Sequence, residues 1–193
     1  MKNILIWGPA RAGKSTLAKM LHDEFGHSIV RADSLVCAFG KAFPQLGISP
    51  YSDDCAAHFA PFIAHYLFEI EGTSHMKCGS KFVAVLTHFA ADEVFDTLKS
   101  RGVELDEFIL IGLTYSRKTW EELRDDLKQY DTEDDWTYHL SDDALDGFCK
   151  GSIGHLNYFR EKFEEYGFSV YDVSAEREDI LNQIVNYVRK QMP

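Results

Sequence analysis

Residues 8–15 read Gly8-Pro9-Ala10-Arg11-Ala12-Gly13-Lys14-Ser15, and Thr16 follows them. The stretch fits the pattern G-x-x-x-x-G-K-[ST], which a chain of this length contains by chance with a probability on the order of 1%. The two glycines let the backbone curl so that its N–H groups face phosphate oxygens, the lysine adds positive charge, and the serine hydroxyl coordinates magnesium. The pattern therefore predicts a loop, here called the phosphate loop, that binds a nucleoside triphosphate with magnesium.

The segments on either side of the phosphate loop fit this prediction. The apolar run at residues 3–7 is typical of a buried strand, and a helical pattern follows the loop until Gly26. A helix that begins near Lys14 directs its positive N-terminal end toward the phosphates. We therefore expect the nucleotide to be bound by residues of the loop and the helix start, namely Gly8, Pro9, Ala10, Arg11, Ala12, Gly13, Lys14, Ser15 and Thr16.

Two of these residues have more specific predictions. Ser15 is the expected magnesium ligand, since its hydroxyl follows the lysine of the pattern. Arg11 can reach a bound phosphate, but an arginine in an exposed loop is more often only solvated, and the solvated interpretation is favoured.

The rest of the chain alternates between short apolar runs and helical patterns. The further runs that predict strands are residues 28–32, 82–86, 108–113 and 168–173. The patterns that predict helices are residues 34–43, 53–70, 90–99, 117–130, 153–166 and 178–188. Five such strands alternating with helices predict a parallel sheet covered on both faces, a three-layer α/β/α fold.

Composition narrows the class of protein. A length of 193 residues with 45% hydrophobic residues suits one domain with a core of its own. The net charge of -11 argues against broad binding to nucleic acid or anionic lipid. The four cysteines form no C-x-x-C pair, and no apolar stretch approaches the ~20 residues of a membrane helix. We expect a cytoplasmic protein.

Residues 1–35, and beyond them the order of elements, resemble the P-loop small-molecule kinases, which include nucleoside and nucleotide kinases, shikimate kinase and gluconate kinase. The resemblance implies one domain over residues 1–193 with strand order 2-3-1-4-5. It also implies acceptor-side helices within about 34–70 and a helical lid within about 117–150. The implied activity is transfer of the terminal phosphoryl group from ATP, with Mg²⁺, to a nucleoside, a nucleotide or another small hydroxyl metabolite.

Asp33 is the catalytic candidate outside the loop. It ends the second predicted strand, where the resembling kinases often place a carboxylate that orients or deprotonates the acceptor hydroxyl. Followed by Ser34, it can alternatively cap the next helix. The two roles are compatible, and the catalytic one is favoured.

The third predicted strand departs from the resembling kinases, many of which end it with an acidic residue. Here residues 82–86 run into Thr87 and His88. Residues 69–72 (EIEG) offer an alternative alignment with a carboxylate, but they lie at the end of a predicted helix and the alignment is rejected. Thr87 and His88 become candidate acceptor contacts, although a histidine there is more often only a polar exit from the core. Asp92 is a candidate replacement for the missing carboxylate.

The lid implied by the resemblance should bring arginines to the transferred phosphoryl group, whose charge they stabilise. Arg117 and Arg124 lie two helical turns apart and are predicted as catalytic. The competing interpretation is a solvated charged face, because residues 117–136 contain eight acidic and four basic side chains. Trp136 can cover the acceptor or anchor a loop, and Ser174 lies where the resemblance implies the adenine border.

Two other classes of function remain as alternatives. The first is a regulatory or non-catalytic ATP-binding module. The missing carboxylate at the end of the third strand favours it, because this absence would weaken catalysis more than binding. A guanine-specific switch is disfavoured because the chain has no N-K-x-D motif. The second is a nucleic-acid end kinase, against which the charge of -11 counts. The expected partners are thus ATP and a small-molecule acceptor, with no membrane.

Overall fold

A five-stranded parallel sheet forms the middle layer of the protein. The structure, a computed structural model, describes residues 2–48, 54–72, 81–86 and 91–192. The order across the sheet is β2-β3-β1-β4-β5, with every neighbouring pair parallel, as predicted. In chain order the strands are β1 (Asn3–Trp7), β2 (Ser28–Arg31), β3 (Phe82–Leu86), β4 (Phe108–Thr114) and β5 (Ser169–Asp172).

Helices cover both faces of the sheet. The described helices are α1 (Lys14–Phe25), α2 (Ala32–Ala42), α3 (Asp54–Gly72), α4 (Ala91–Ser100), α5 (Trp120–Tyr130), α6 (Asp142–Gly154), α7 (Leu156–Tyr166) and α8 (Arg177–Gln191). Short 3₁₀ turns occur at Pro44–Leu46, Leu105–Glu107 and Trp136–His139. Among the helices in the described ranges, none combines the length and the apolarity needed to span a bilayer.

The core consists of two apolar layers, one on each face of the sheet. Residues of α2, α3, α4 and α7 pack on the face that carries Trp7, whereas α1, α5, α6 and α8 pack on the face that carries Ile6. Every residue of β1 and β3 is buried, which is why their sequences are apolar, apart from Asn3, rather than alternating. Gly112 in β4 admits the ring of Phe163, since an added Cβ would lie 2.9 Å from it.

The strand order positions the functional residues. Strand β1 lies between β3 and β4. The chain passes from β1 to β2 on one side and later from β3 to β4 on the other side, so that a crevice opens at the carboxyl end of β1. The phosphate loop starts at this point, directly after Trp7. In sheets of this class, ligands bind at such a switch point.

Two predicted helix starts were wrong, and one helix was missed. Helix α2 begins at Ala32 rather than 34, and α5 begins at Trp120 rather than 117. Helix α6 was not predicted; its three glycines (Gly147, Gly151 and Gly154) weaken the helical pattern. It forms because Ser141 caps its first turn and its buried Leu145 and Cys149 face the core. Residues 69–72 lie in α3, which confirms that they do not end a strand.

Candidate active site

The phosphate loop is held against the neighbouring strand β4. Gly8 has φ +150°, and a Cβ at this position would lie 2.2 Å from the carbonyl oxygen of Leu113. The hydroxyl of Tyr115, just after β4, donates a hydrogen bond to the carbonyl oxygen of Ala10 at 3.0 Å. Gly13, at φ +88°, precedes the first residue of α1. The loop therefore depends on two glycines for its backbone path and on β4 for its position.

Replacing Gly8 with alanine is expected to lower the free energy of unfolding by about 3 kcal/mol or more, because backbone strain and a clash with a main-chain oxygen add together. Gly26 provides a matched control, since it also has positive φ but open space around its Cα. Gly26→Ala should cost only about 1 kcal/mol of strain. Urea unfolding measures both, and equal losses would contradict the packing argument.

Lys14 is buried and folds back onto its own loop. Its Nζ donates hydrogen bonds to the carbonyl oxygens of Gly8 at 2.8 Å and Pro9 at 2.5 Å. Burial lowers the pKa of Lys14 to about 7, and the negative charge of Asp33 offsets part of this effect. Burial disfavours the charged ammonium form of Lys14, and the negative charge of a bound triphosphate would favour it.

Binding of Mg-ATP at pH 8 is therefore expected to take up a large fraction of one proton, because burial lowers the pKa of Lys14 to about 7 in the free protein and the amine becomes charged beside the phosphates. The terminal phosphate is already ionised at this pH. Calorimetry in buffers of different ionisation enthalpy measures the uptake as a slope. Lys14→Met removes the titrating amine and should give no slope. A wild-type slope near zero would show that Lys14 does not change protonation.

Arg11 joins the phosphate loop to the segment that follows α5. Its guanidinium donates to a carboxylate oxygen of Asp135 at 2.6 Å and forms a second ion pair with Asp131, which also accepts a hydrogen bond from Thr137. The hydrogen bond from Arg11 lowers the pKa of Asp135. Arg11 is half-buried, so the interpretation that it is merely solvated was wrong.

Arg177, the first residue of α8, is a site residue that the sequence did not reveal. Its guanidinium lies so close to Gly13 that a Cβ there would be 2.9 Å from Nε. Burial and the positive charge of Arg11 lower the pKa of Arg177, and Asp131 acts in the opposite direction. Glu176, just before it, has φ +49°; within the described part of the chain, Arg11 and Glu176 are the only non-glycine residues with positive φ. Such backbone strain concentrates at binding sites.

Asp33 lies in the first turn of α2, two residues after the end of β2. The N-cap of this helix is Arg31, which shows that the capping role considered for Asp33 was wrong. Asp33 is close enough to Lys14 for its charge to affect the pKa of the ammonium group. The structure thus brings the predicted base and the predicted phosphate-binding lysine together.

A cleft of about 400 Å³ opens between the loop, α2 and the segment after α5. Besides Asp33, it is lined by the predicted nucleotide-binding residues Ala10, Arg11, Gly13, Lys14, Ser15 and Thr16. Residues that were not predicted also line it, namely Arg31, Val85, Asp134, Asp135 and Arg177. Trp136 lines the cleft, and its ring packs edge-on against Phe148 at 5.0 Å, which anchors its segment to α6.

Arg117 and Arg124 do not line this cleft. Arg117 precedes α5, where its Nε lies 3.6 Å from Asp172 and its backbone N–H donates to the hydroxyl of Ser174. Arg124 forms ion pairs with Asp125 and Asp146. The two arginines do not share a helical face, because α5 begins only at Trp120.

Three acceptor-side candidates cannot be placed. Thr87 and His88 lie outside the described residues, and so does the side chain of Asp92.

The oxygen donors of the cleft fit magnesium bound together with a nucleotide. In the described part of the chain no group of three or more His, Cys, Asp or Glu side chains could hold a metal ion. Magnesium bound with a nucleotide needs only one or two protein oxygens, since phosphates and waters complete its shell. Ser15, exposed in the first turn of α1 and facing the cleft, meets this requirement.

Known proteins match this chain in structure but not in sequence. No family model and no curated protein sequence matches it. A sugar kinase from Janibacter sp. HTCC2649 superposes with a TM-score of 0.59 at 15% identity, over 98% of this chain and 95% of that one. A gluconokinase from Sinorhizobium meliloti 1021 gives 0.58 at 14% identity, over 100% and 98%. The shikimate kinase from Acinetobacter baumannii gives 0.56 at 13% identity, over 100% and 95%.

The chain has the fold of the P-loop small-molecule kinases. The likeness covers nearly the whole of each P-loop kinase in the comparison, including the elements after β4. It therefore confirms the sheet order and the resemblance inferred from the phosphate loop. At these identities it establishes the fold alone.

Proposed function

We propose that the protein is an ATP-dependent kinase that transfers the terminal phosphoryl group of Mg-ATP to a hydroxyl of a small-molecule acceptor. The observation that carries the proposal is that Lys14 and Asp33 line one concave cleft at the carboxyl end of β1. A protein that only binds ATP needs the phosphate loop but no adjoining space with a carboxylate in it. The cleft contains the phosphate loop and also an adjoining space lined by the carboxylate of Asp33.

The proposed mechanism rests on positioning and charge. Backbone N–H groups of the loop and the ammonium group of Lys14 hold the phosphates. Ser15 would hold magnesium, which would supply positive charge to the phosphates. Asp33 accepts a hydrogen bond from the acceptor hydroxyl and takes its proton as the acceptor oxygen bonds to the terminal phosphorus. The bond from that phosphorus to the bridging oxygen breaks, and ADP leaves.

The arginines that stabilise the transferred group are, in this proposal, Arg11 and Arg177 rather than Arg117 and Arg124. Arg11 belongs to the loop, and the guanidinium of Arg177 lies beside Gly13. Arg117 and Arg124 do not line the cleft, whereas Arg11 and Arg177 do. Arg11 would exchange its ion pairs with Asp131 and Asp135 for contacts with phosphoryl oxygens. The lid segment therefore contributes acidic residues to the cleft, Asp134 and Asp135, where the resemblance implied basic ones.

The test is ADP release from Mg-ATP with a panel of nucleosides, nucleotides, sugars, sugar acids and shikimate, each against a control without acceptor. We expect one class of acceptor to stimulate release in the wild type and not in Lys14→Ala. Measurable ATP binding without stimulation by any acceptor would overturn the kinase proposal in favour of an ATP-binding module.

A further inference from the structure

Arg31 occupies an unusual place next to the proposed base. It is the last residue of β2 and the N-cap of α2, and its side chain is exposed in the cleft two residues from Asp33. It also lines a second cleft of about 470 Å³, which shares Ser15 and Val85 with the first and extends along the edge strand β2. Arg31 therefore stands where the two clefts meet.

The charge environment sets Arg31 apart from most arginines of this chain. All eight arginines lie in the described ranges, and five of them form ion pairs: Arg11, Arg101, Arg117, Arg124 and Arg189. Arg31, Arg160 and Arg177 form none with the residues that the structure describes. Two of these three line the cleft with Lys14. In a chain with 31 acidic and 20 basic side chains, such arginines mark a place for anionic ligands.

The two arginines lie beside different parts of the cleft. The guanidinium of Arg177 lies beside Gly13 in the phosphate loop, where the proposed nucleotide site is. Arg31 lies beside Asp33, where the acceptor hydroxyl has to be. Among the described residues that line the second cleft, Lys19 is already paired with Asp23 at 2.8 Å, whereas the guanidinium of Arg31 has no ion pair and is available to a ligand.

We propose that Arg31 selects the acceptor and that the acceptor carries an anionic group, a carboxylate or a phosphate, beside its reacting hydroxyl. This inference rests on the proposed kinase function. An anion near Asp33, Asp134 and Asp135 would be repelled unless a cation compensates. A guanidinium binds carboxylate and phosphate with two parallel hydrogen bonds, so that one residue both attracts and orients the acceptor.

The experiment compares acceptors in matched pairs that differ by one anionic group. Gluconate with sorbitol, its open-chain counterpart with a hydroxymethyl group in place of the carboxylate, tests the carboxylate, and deoxyadenosine 5′-monophosphate with deoxyadenosine tests the phosphate. Each pair is assayed for ADP release with the wild type, Arg31→Gln and Arg31→Lys. Arg160→Gln is the matched control, since Arg160 is likewise exposed and without an ion pair to the described residues but lies on α7, away from both clefts.

We expect the wild type to prefer the anionic member of one pair at least ~10-fold in kcat/KM, and the pair identifies the anion. Arg31→Gln should raise the KM for that acceptor about 10- to 100-fold while the KM for ATP stays constant. Arg31→Lys should restore part of the preference, and Arg160→Gln should behave as wild type. Equal use of both members by the wild type, or an unchanged preference in Arg31→Gln, would overturn the inference.

Direct binding separates this inference from the kinase proposal. Gluconate and deoxyadenosine 5′-monophosphate are titrated by calorimetry into protein saturated with a non-hydrolysable ATP analogue, which blocks the nucleotide site. Binding that Arg31→Gln abolishes, without turnover, would support the anion site while the kinase proposal fails. Absence of binding to the wild type, or equal binding to Arg31→Gln, would overturn the anion site.

Discussion

Replacing Lys14 with alanine is expected to lower Mg-ATP turnover by about 1000-fold, because the variant loses the buried lysine of the phosphate loop, which in the proposed mechanism holds the phosphates. The fold should persist. Lys14 bonds only to carbonyl oxygens of its own loop in the free protein, and those carbonyls can bond to water instead. ADP release under saturating acceptor measures the effect, and circular dichroism checks the fold.

Lys190→Ala is the matched control, since Lys190 is exposed near the end of α8, remote from the loop.

The pH dependence of stability provides a second readout. The pKa of Lys14 is about 7 in the folded protein and near its ordinary value of 10.5 when unfolded. The unfolded state therefore binds more protons between these values, and the stability of the wild type should rise with pH across this range. Lys14→Ala should lose this rise, and unchanged turnover in the variant would remove the lysine from the mechanism.

Replacing Asp33 with asparagine is expected to lower phosphoryl transfer at least ~100-fold while leaving ATP affinity intact. The amide keeps the size of the side chain but can neither take the proton of the acceptor hydroxyl nor carry the negative charge that lies near Lys14. Single-turnover transfer and calorimetric titration with Mg-ATP separate the two effects.

Asp96→Asn controls for the loss of one acidic charge, since Asp96 is an exposed residue of α4. It should transfer phosphoryl groups at the wild-type rate. Equal rates for Asp33→Asn and the wild type would reduce Asp33 to a structural residue at the start of α2. Loss of ATP binding together with transfer would instead assign Asp33 to the nucleotide site.

The fold could be predicted because its signals are local. The three central strands, β1, β3 and β4, are mostly apolar runs, and the phosphate loop is one contiguous motif with a fixed spacing. The partners of Arg11, by contrast, lie 120 and 124 residues away in the chain, and only the crossing of the chain between β4 and β5 brings them near. Arg31 and Arg177 became site residues for the same reason, through strand order rather than through any motif.

The start of α5 could have been predicted from the sequence. Thr119 and Glu122 form the S/T-x-x-E pattern of a helix start, and in the structure each caps the other's backbone N–H. Recognising it would have placed Arg117 before α5 and removed the argument that Arg117 and Arg124 share a face.

Gly8 and Lys14 of the phosphate loop are needed for different reasons, the first for packing and the second for a ligand. Gly8 is required by the carbonyl of Leu113 whether or not a nucleotide ever binds, so a descendant that had lost all activity would still keep it. Lys14 is the opposite case, because its buried amine costs about 1.4 kcal/mol for every unit by which its pKa is lowered. Without a ligand that offsets this cost, an uncharged residue at position 14 would make the folded protein more stable. The burial of the lysine, rather than the presence of the glycine, is therefore the feature that supports the proposed nucleotide site.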